Sequence, residues 1–551
     1  MCLEIIGESK MAARSFLKAL IFLLLGGILF FLIQEVFIPD SKENGGEEQV
    51  IHGIYALPDD TLDALFLGSS HVYNGISPMA VYESTGIVSY SLATSAQPIE
   101  CSFFLLQEVY ERQHPKVVIL DAAGLFSRDD ENKFWRFVLD YLPLSRTKIE
   151  IAQLYDKYEF SDGFLSVLFP VIKYHSRWDA LTAADFKSRG RGFYYSGGES
   201  IRSIVNRSPW TVEDVDHWTK ELMQLNQGSI SYLENGNRYN QIVDDPIYSP
   251  AISENGRTYL TKIHEMCREN GAQLVLMKVP TMSMPQYYPG VWTREKYQLT
   301  AALAKELQIP YIDFMYDIDP HIDFETETID AGVHLNLRGA QKISQCLAGY
   351  IQKQFKLEGK SNPFYDDALK QYQRVAAVGF LQSENSLFDY LGCLTENKEN
   401  WTILISACAD YTNGISSEEY LPFQALSLNL FSKGESMDSY VAILDHGALV
   451  YEALSDRRIE YKTELNGLKV KLISAGWLNG QEASITIDEV QYANNMQGLN
   501  IVVYDKEKEL VIDSVTFDTH QESKPCFRNN ESIWKYLQAY ESAVCFSKQI
   551  G

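Results

Sequence analysis

The sequence predicts a mixed α/β protein: a parallel sheet covered by helices on both faces, then a smaller β-rich α/β domain, with one apolar helix at the N-terminus. Three observations predict it. Short continuous apolar runs alternate with amphipathic stretches between about Thr61 and Phe355, the pattern of strands buried on both faces by crossover helices. Beyond about Glu384 the runs become short and alternating, with Gly and Asn turns between them. Residues 19–33 carry no charge.

The N-terminal segment comes first. Phe16 to Ile38 is long enough for the roughly 20 helical residues that cross a bilayer. Lys10, Arg14 and Lys18 flank its start, whereas Glu35, Asp40, Glu43, Glu47 and Glu48 lie at or beyond its end. The positive-inside rule therefore predicts a single-pass cell-membrane anchor, N-terminus cytoplasmic and folded domains outside. A cleaved signal peptide would need a shorter apolar region and a small-residue cleavage site, which residues 34–40 do not offer. Residues 1–40 are read as cytoplasmic tail and anchor, and 41–60 as an acidic, Gly-containing linker.

The first folded domain is expected over 61–357. Its strands are Ala64–Leu67 ending at Gly68, Val88–Leu92, Val117–Leu120, Leu274–Met277 and Ile312–Phe314. Helical patterns fill the intervals at Ile99–Arg112, Arg257–Arg268 and Arg294–Leu307. An aromatic-rich insertion, about 128–247, breaks the rhythm, and an insertion of that size usually covers or shapes a site. The Gly-, Ser-, Asn- and Pro-containing stretch after Phe355 is read as a linker, 358–383. The second domain then covers 384–525, with a tail over 526–551.

Composition excludes some functions. A net charge of −25 argues against a nucleic-acid partner, because phosphate binding needs clustered Lys and Arg. None of the eight cysteines forms a pair with zinc-site spacing, so no metal is implied, and no organic cofactor either. Cys267 and Cys346 read as core residues. Cys393, Cys408, Cys526 and Cys545 could form disulfides outside the cytoplasm, Cys393 with Cys408 across adjacent strands.

Sites in open α/β sheets lie beyond the C-terminal strand ends. The first strand ends there in Gly68-Ser69-Ser70-His71, and the last helix is preceded by Asp330-Ala-Gly-Val-His334-Leu-Asn336. An imidazole at His334 can take the proton from Ser70, since neutral serine is a weak nucleophile without an adjacent base. A carboxylate would then orient the ring. The bland alternatives are a loop serine and a structural histidine. Asn336 reads as the N-cap of the last helix, and His175 as an aromatic packing residue. Arg177 is a weak candidate for an anionic substrate group.

These two blocks, Phe66-Leu-Gly-Ser-Ser-His71 and His334-Leu-Asn-Leu-Arg-Gly-Ala340, resemble the first and last blocks of SGNH (GDSL-like) hydrolases. The likeness is greatest to membrane-anchored bacterial members associated with cell-surface polymer acylation and deacylation. The resemblance implies a three-layer flavodoxin-like domain, Ser70 as nucleophile and His334 as base. The acid that the family carries three residues before the histidine is replaced by Ala331, leaving Asp330, with Glu327 as second candidate. The oxyanion donors it implies are the backbone of Ser70 and that of Ala93, in place of the family's glycine, with Asn74 as a side-chain candidate. The family's third-block asparagine has no counterpart: Val117–Leu120 ends at Asp121, whose charge would repel an oxyanion.

Gly498-Leu-Asn-Ile-Val-Val-Tyr-Asp505 and Ser514-Val-Thr-Phe-Asp-Thr519 resemble the interleukin-like EMT inducer (ILEI, PANDER-like) domain. That likeness implies a compact β-rich module and carbohydrate or partner binding. Asn500, Asp518 and Trp477 can equally be turn and core residues. The combined expectation is an anchored esterase or O-acyltransferase. Its partners would be a glycan or acylated polysaccharide and, for transfer, a membrane acyl donor. The alternative is a surface protein that binds glycan without catalysis.

Overall fold

The computed structural model describes residues 2–39, 47–126, 132–158, 163–183, 185–186, 250–281, 294–315, 318, 320–323, 327–329, 334–435 and 437–528. The chain divides into two compact units at Asp366/Asp367.

The first unit opens with helix α1 (Cys2–Phe37), which contains the apolar stretch Phe16–Gln34, of mean hydropathy 2.7 and with none of its most apolar window buried. Helix α2 (Glu47–Ala56) follows. The stretch 41–60 is therefore not wholly a linker. Val50, Ile51 and Ile54 make a buried stripe on α2, and Tyr90 Oη donates to the Val50 carbonyl at 2.7 Å. Residues 40–46 lie outside the described residues.

Five parallel strands, β1 (Ala64–Gly68), β2 (Ser89–Ala93), β3 (Val117–Asp121), β4 (Gln273–Lys278) and β5 (Tyr311–Asp313), form a sheet in the order 2-1-3-4-5. This is the doubly wound order whose direction switches between β1 and β3. The register aligns Leu67 with both Leu92 and Leu120, and Leu120 with Leu276. Every residue of β1, β2 and β3 is buried, which accounts for the continuous apolar runs Ala64–Leu67 and Val117–Leu120.

Helices α3 (Ser70–Gly75), α4 (Pro78–Thr85), α5 (Ile99–Tyr110), α6 (Asn132–Leu139), α7 (Arg146–Lys157), α8 (Gly163–Leu168), α9 (Pro170–Tyr174), α10 (Glu254–Glu269), α11 (Arg294–Leu307) and α12 (Leu337–Phe355) complete the unit. A two-residue ribbon joins β6 (Thr328–Ile329) to β7 (His334–Leu335) just before α12. Phe66, Val72, Met277, Leu335, Ile343 and Leu347 share one core cluster, which ties the first strand to the last helix. The expected insertion is described only in part, as α6 to α9 and a 3-10 turn His175–Asp179.

The stretch 358–383 is mostly helix, α13 (Pro363–Ser383), and not an extended linker. Its Gly359 and Asn362 belong to the entry: Asn362 Oδ1 accepts from Phe364 N at 3.0 Å, an N-terminal cap.

In the second unit α14 (Leu387–Asn397) and α15 (Tyr420–Ala425) accompany a ten-stranded sheet built from β8 (Thr402–Cys408), β9 (Ser439–Asp445), β10 (Ala448–Ser455), β11 (Ile459–Leu465), β12 (Leu468–Ala475), β13 (Glu482–Ile487), β14 (Val490–Gln491), β15 (Gly498–Asp505), β16 (Leu510–Phe517) and β17 (Cys526–Arg528). β15 and β16 form a hairpin around Lys506–Glu509, and Phe517 is buried against Tyr390. β17 pairs with β16, so the sheet runs on to Arg528 and the tail cannot begin at 526. Asn500 is fully buried and clips the Gly498 turn, donating to Met496 O at 2.8 Å and accepting from Thr516 Oγ1 at 2.9 Å. Asp518 accepts from Gln521 Nε2 and His520 N within a turn. Trp477, by contrast, is half exposed.

Two cysteine expectations change. Cys346 is exposed, on the outer face of α12. Cys393 lies on helix α14, not on a strand beside Cys408. Cys545 lies outside the described residues.

Candidate active site

β1 ends at Gly68, which has φ +150. A Cβ there would sit 2.5 Å from Asp121 Cβ and 2.8 Å from Val72 Cγ2, so glycine alone lets β1 and β3 close on the start of α3. Ser69 then takes an extended conformation and caps α3, accepting from His71 N at 3.4 Å. Ser70 is the first helical residue, at the sheet's C-terminal edge.

At the other end of the unit, His334 opens β7 opposite Ile329. Asn336 follows and caps α12, accepting from Arg338 N at 3.0 Å and Gly339 N at 3.3 Å. Gly339 lies against the Glu327 carbonyl, where a Cβ would approach to 2.5 Å. The cap and this close contact fix the start of α12, two residues beyond His334. His334 Nε2 and Ser70 Oγ are 2.8 Å apart across 264 positions of sequence, within hydrogen-bond reach for proton transfer.

The other expected site residues fare differently. Asp330 lies outside the described residues. Glu327 does not serve the imidazole: its carboxylate accepts from Lys342 Nζ at 2.6 Å and Asp323 N at 2.9 Å. Ala93 ends β2, in register with Gly68. Asn74 is buried one turn along α3 and makes no side-chain hydrogen bond among the described residues. His175 is exposed, its Nδ1 within 2.8 Å of the Ile172 carbonyl, and Arg177 bonds Phe37 O and Asp185.

Sequence reasoning gave three groups at this edge no role. His71 packs against His334, with ring centroids 5.0 Å apart and planes inclined by 31°. Its Nδ1 is shut off from solvent and has no hydrogen-bond partner among the described residues. Burial holds it well below the usual histidine range, and the charges of Lys278, His334 and Lys296 push the same way. Lys278 ends β4 with its side chain fully buried, 3.8 Å from the Asp121 carboxylate. Burial lowers it to about 8, Asp121 opposes that shift, and Lys296 adds to it. Lys296, on α11, is likewise lowered by burial to about 8. A lysine closing an apolar strand at the ligand-binding edge was a readable signal for Lys278. No comparable signal marked Lys296.

Asp121 is thus not an isolated charge facing the nucleophile. Its Oδ2 accepts from Ser69 Oγ at 2.8 Å and its Oδ1 faces Lys278, so the carboxylate braces the turn while a cation offsets it. Among the described residues no group of three or more His, Cys, Asp or Glu side chains is placed to hold a metal ion.

Fold and site together define an α/β unit with a serine–imidazole pair at the C-terminal edge of a doubly wound parallel sheet. No family model matches the chain, and no curated protein sequence matches it. Among solved structures, it is similar to a Bacteroides fragilis chain provisionally described as an acylhydrolase. The identity is 10%, covering 57% of this chain and 98% of that one, with a TM-score of 0.26.

Proposed function

We propose that the chain is a membrane-anchored SGNH-type serine esterase or O-acyltransferase that acts on acyl esters of a cell-surface or extracellular glycan. The observation that carries this reading is the 2.8 Å approach of His334 Nε2 to Ser70 Oγ. In the proposed reaction His334 takes the Ser70 proton as Oγ attacks the acyl carbonyl. The tetrahedral oxyanion is met by backbone N–H groups, those of Ser70 and Ala93 being the candidates, with Asn74 as a side-chain donor. His334 then gives that proton to the departing sugar oxygen as its bond to the acyl carbon breaks, which releases the sugar hydroxyl and leaves an acyl-Ser70 ester. Water or a second glycan hydroxyl, deprotonated by the same imidazole, releases the acyl group. Asp330 is the proposed orienting acid. Residues 16–34 would anchor the chain with its N-terminus in the cytoplasm. The second unit would be an ILEI-like accessory module that binds glycan, with exposed Trp477 as a contact.

The test is acetyl release from acetylated glycans by the full chain in detergent, compared with Ser70→Ala and His334→Ala. The expected result is loss of about 10³-fold or more in both variants with their melting behaviour retained. Wild-type activity in Ser70→Ala would remove Ser70 from its role. Failure of a fluorophosphonate to label wild-type Ser70 would favour the non-catalytic glycan-binding alternative.

A further inference from the structure

We infer that the segment Gly163–Asp179 is a second membrane contact, seated in the lipid interface beside the N-terminal span. It rests on the reading that residues 16–34 cross a bilayer, and it adds a surface that the span alone does not imply.

Phe169, between α8 and α9, packs its ring on Phe30 at 5.3 Å and on Phe31 at 6.2 Å between centroids. Both partners lie inside the apolar stretch that ends at Gln34. At 1.5 Å rise per residue, Phe30 sits about 6 Å below that end, so Phe169 must share that depth. Interfacial elements bury their apolar faces by about 5–10 Å, the same range.

The junction is built from polar contacts as well. Val171 N donates to Gln34 Oε1 at 3.1 Å, and Gln34 Nε2 donates to Phe30 O at 2.8 Å. Arg177 Nη1 donates to the Phe37 carbonyl at 2.8 Å, one of the acceptors left open at the end of α1. Tyr174 Oη donates to Asp140 at 2.5 Å, and Asp140 pairs with Arg136 at 2.9 Å, which locks α9 onto α6.

This fixed segment then exposes Leu165 (56%), Ile172 (44%) and Trp178 (72%). Single apolar side chains exposed to water are ordinary, but three of them within fourteen positions on a segment tied to the span are what an interfacial element presents. Against a bilayer they are the ordinary apolar anchors, with tryptophan at headgroup level and Lys173 able to meet lipid phosphates. The packing of Phe169 on Phe30 and Phe31 favours lipid over other apolar occupants, because it ties α8 and α9 to the depth at which acyl chains begin.

The experiment uses the full chain in phosphatidylcholine vesicles containing an alkyne-tagged phospholipid. A photoreactive benzoyl-phenylalanine replaces, one at a time, Leu25, Leu165, Ile172, Trp178 or the remote exposed Leu478. Lipid adducts at Leu25 and at the three segment positions, about ten-fold above those at Leu478, are expected. Adducts at Leu25 with none at Leu165, Ile172 or Trp178 would overturn the inference and leave the anchor standing. Chain-to-chain products at Ile172 and Trp178 in place of lipid adducts would make the face a protein interface and overturn it too. Absence of adducts at Leu25 would remove the anchor, and the inference with it.

Discussion

The imidazole of His71 packs beside that of His334, 5.0 Å between ring centroids, with its Nδ1 enclosed and without a hydrogen-bond partner among the described residues. A proton on His71 would sit beside the His334 ring and in the field of two lysines. The folded chain therefore resists that proton, and the unfolded chain, with histidines near 6.5, does not. A group whose folded pKa is depressed in this way removes stability as pH falls below the unfolded value. Full-length protein should lose Tm between pH 7 and pH 5, and His71→Phe, which keeps an aromatic ring there, should lose less. Thermal melts across that range check it. Equal losses in both proteins would show that His71 is not the group concerned.

Asp121 and Lys278 are both fully buried, and 3.8 Å separates them without a hydrogen bond between them. Removing one partner strands the other's charge in the core, at a cost of about 3–5 kcal/mol, while removing both is far milder. Asp121→Asn and Lys278→Met should each lower stability strongly, and the double variant should recover much of that loss. Denaturant midpoints for the four proteins give the coupling directly. Additive effects would mean that the two side chains act separately.

The same pair gives the proposed reaction an alkaline limit. Lys278 is lowered to about 8, so above that pH Asp121 loses its offsetting cation close to where an oxyanion would form. kcat/KM for an activated ester should fall above about pH 8. The charge of Lys296 helps to lower Lys278, so Lys296→Met should shift the falling limb to higher pH. A limb that disappears in Lys296→Met would assign it to Lys296, also lowered to about 8.

Much of the first unit was legible because its strands are buried on both faces. Ala64–Gly68 and Val117–Asp121 read as unbroken apolar runs for that reason, and Gly68 marked the turn to the site. Ser70 was legible because it follows β1 at the edge where such sheets carry chemistry, and His334 because it stands just before the last helix of the unit. His71 and Lys296 were not, since their roles depend on contacts that only the fold makes: His71 meets Lys278, Lys296 and His334 from more than 200 positions away. Composition misled in the linkers. Gly359 and Asn362 suggested a loop, yet they introduce helix α13. The acidic Glu47 and Glu48 looked like tether, yet they open α2, where negative charge suits a helix N-terminus. Cys346 looked like core because α12 is amphipathic, and a one-position error in phase is enough to move it to the outer face.

Asn336 connects stability to the site. It follows His334 by two positions and its Oδ1 holds the first two turn N–H groups of α12, from Arg338 and Gly339. Asn336→Ala removes that acceptor and should cost about 1 kcal/mol of stability. Asn336→Asp keeps an acceptor and adds a negative charge at the positive end of the helix dipole, so its stability should match or exceed wild type. The aspartate also places a carboxylate near His334, which favours the protonated imidazole and weakens it as a base at neutral pH. Asn336→Asp should therefore be as stable as wild type while its kcat/KM profile shifts to higher pH, and Asn336→Ala should show lower Tm with an unshifted profile. Paired melts and pH-rate profiles separate the two effects, and an unshifted profile in Asn336→Asp would place that carboxylate out of electrostatic reach of His334.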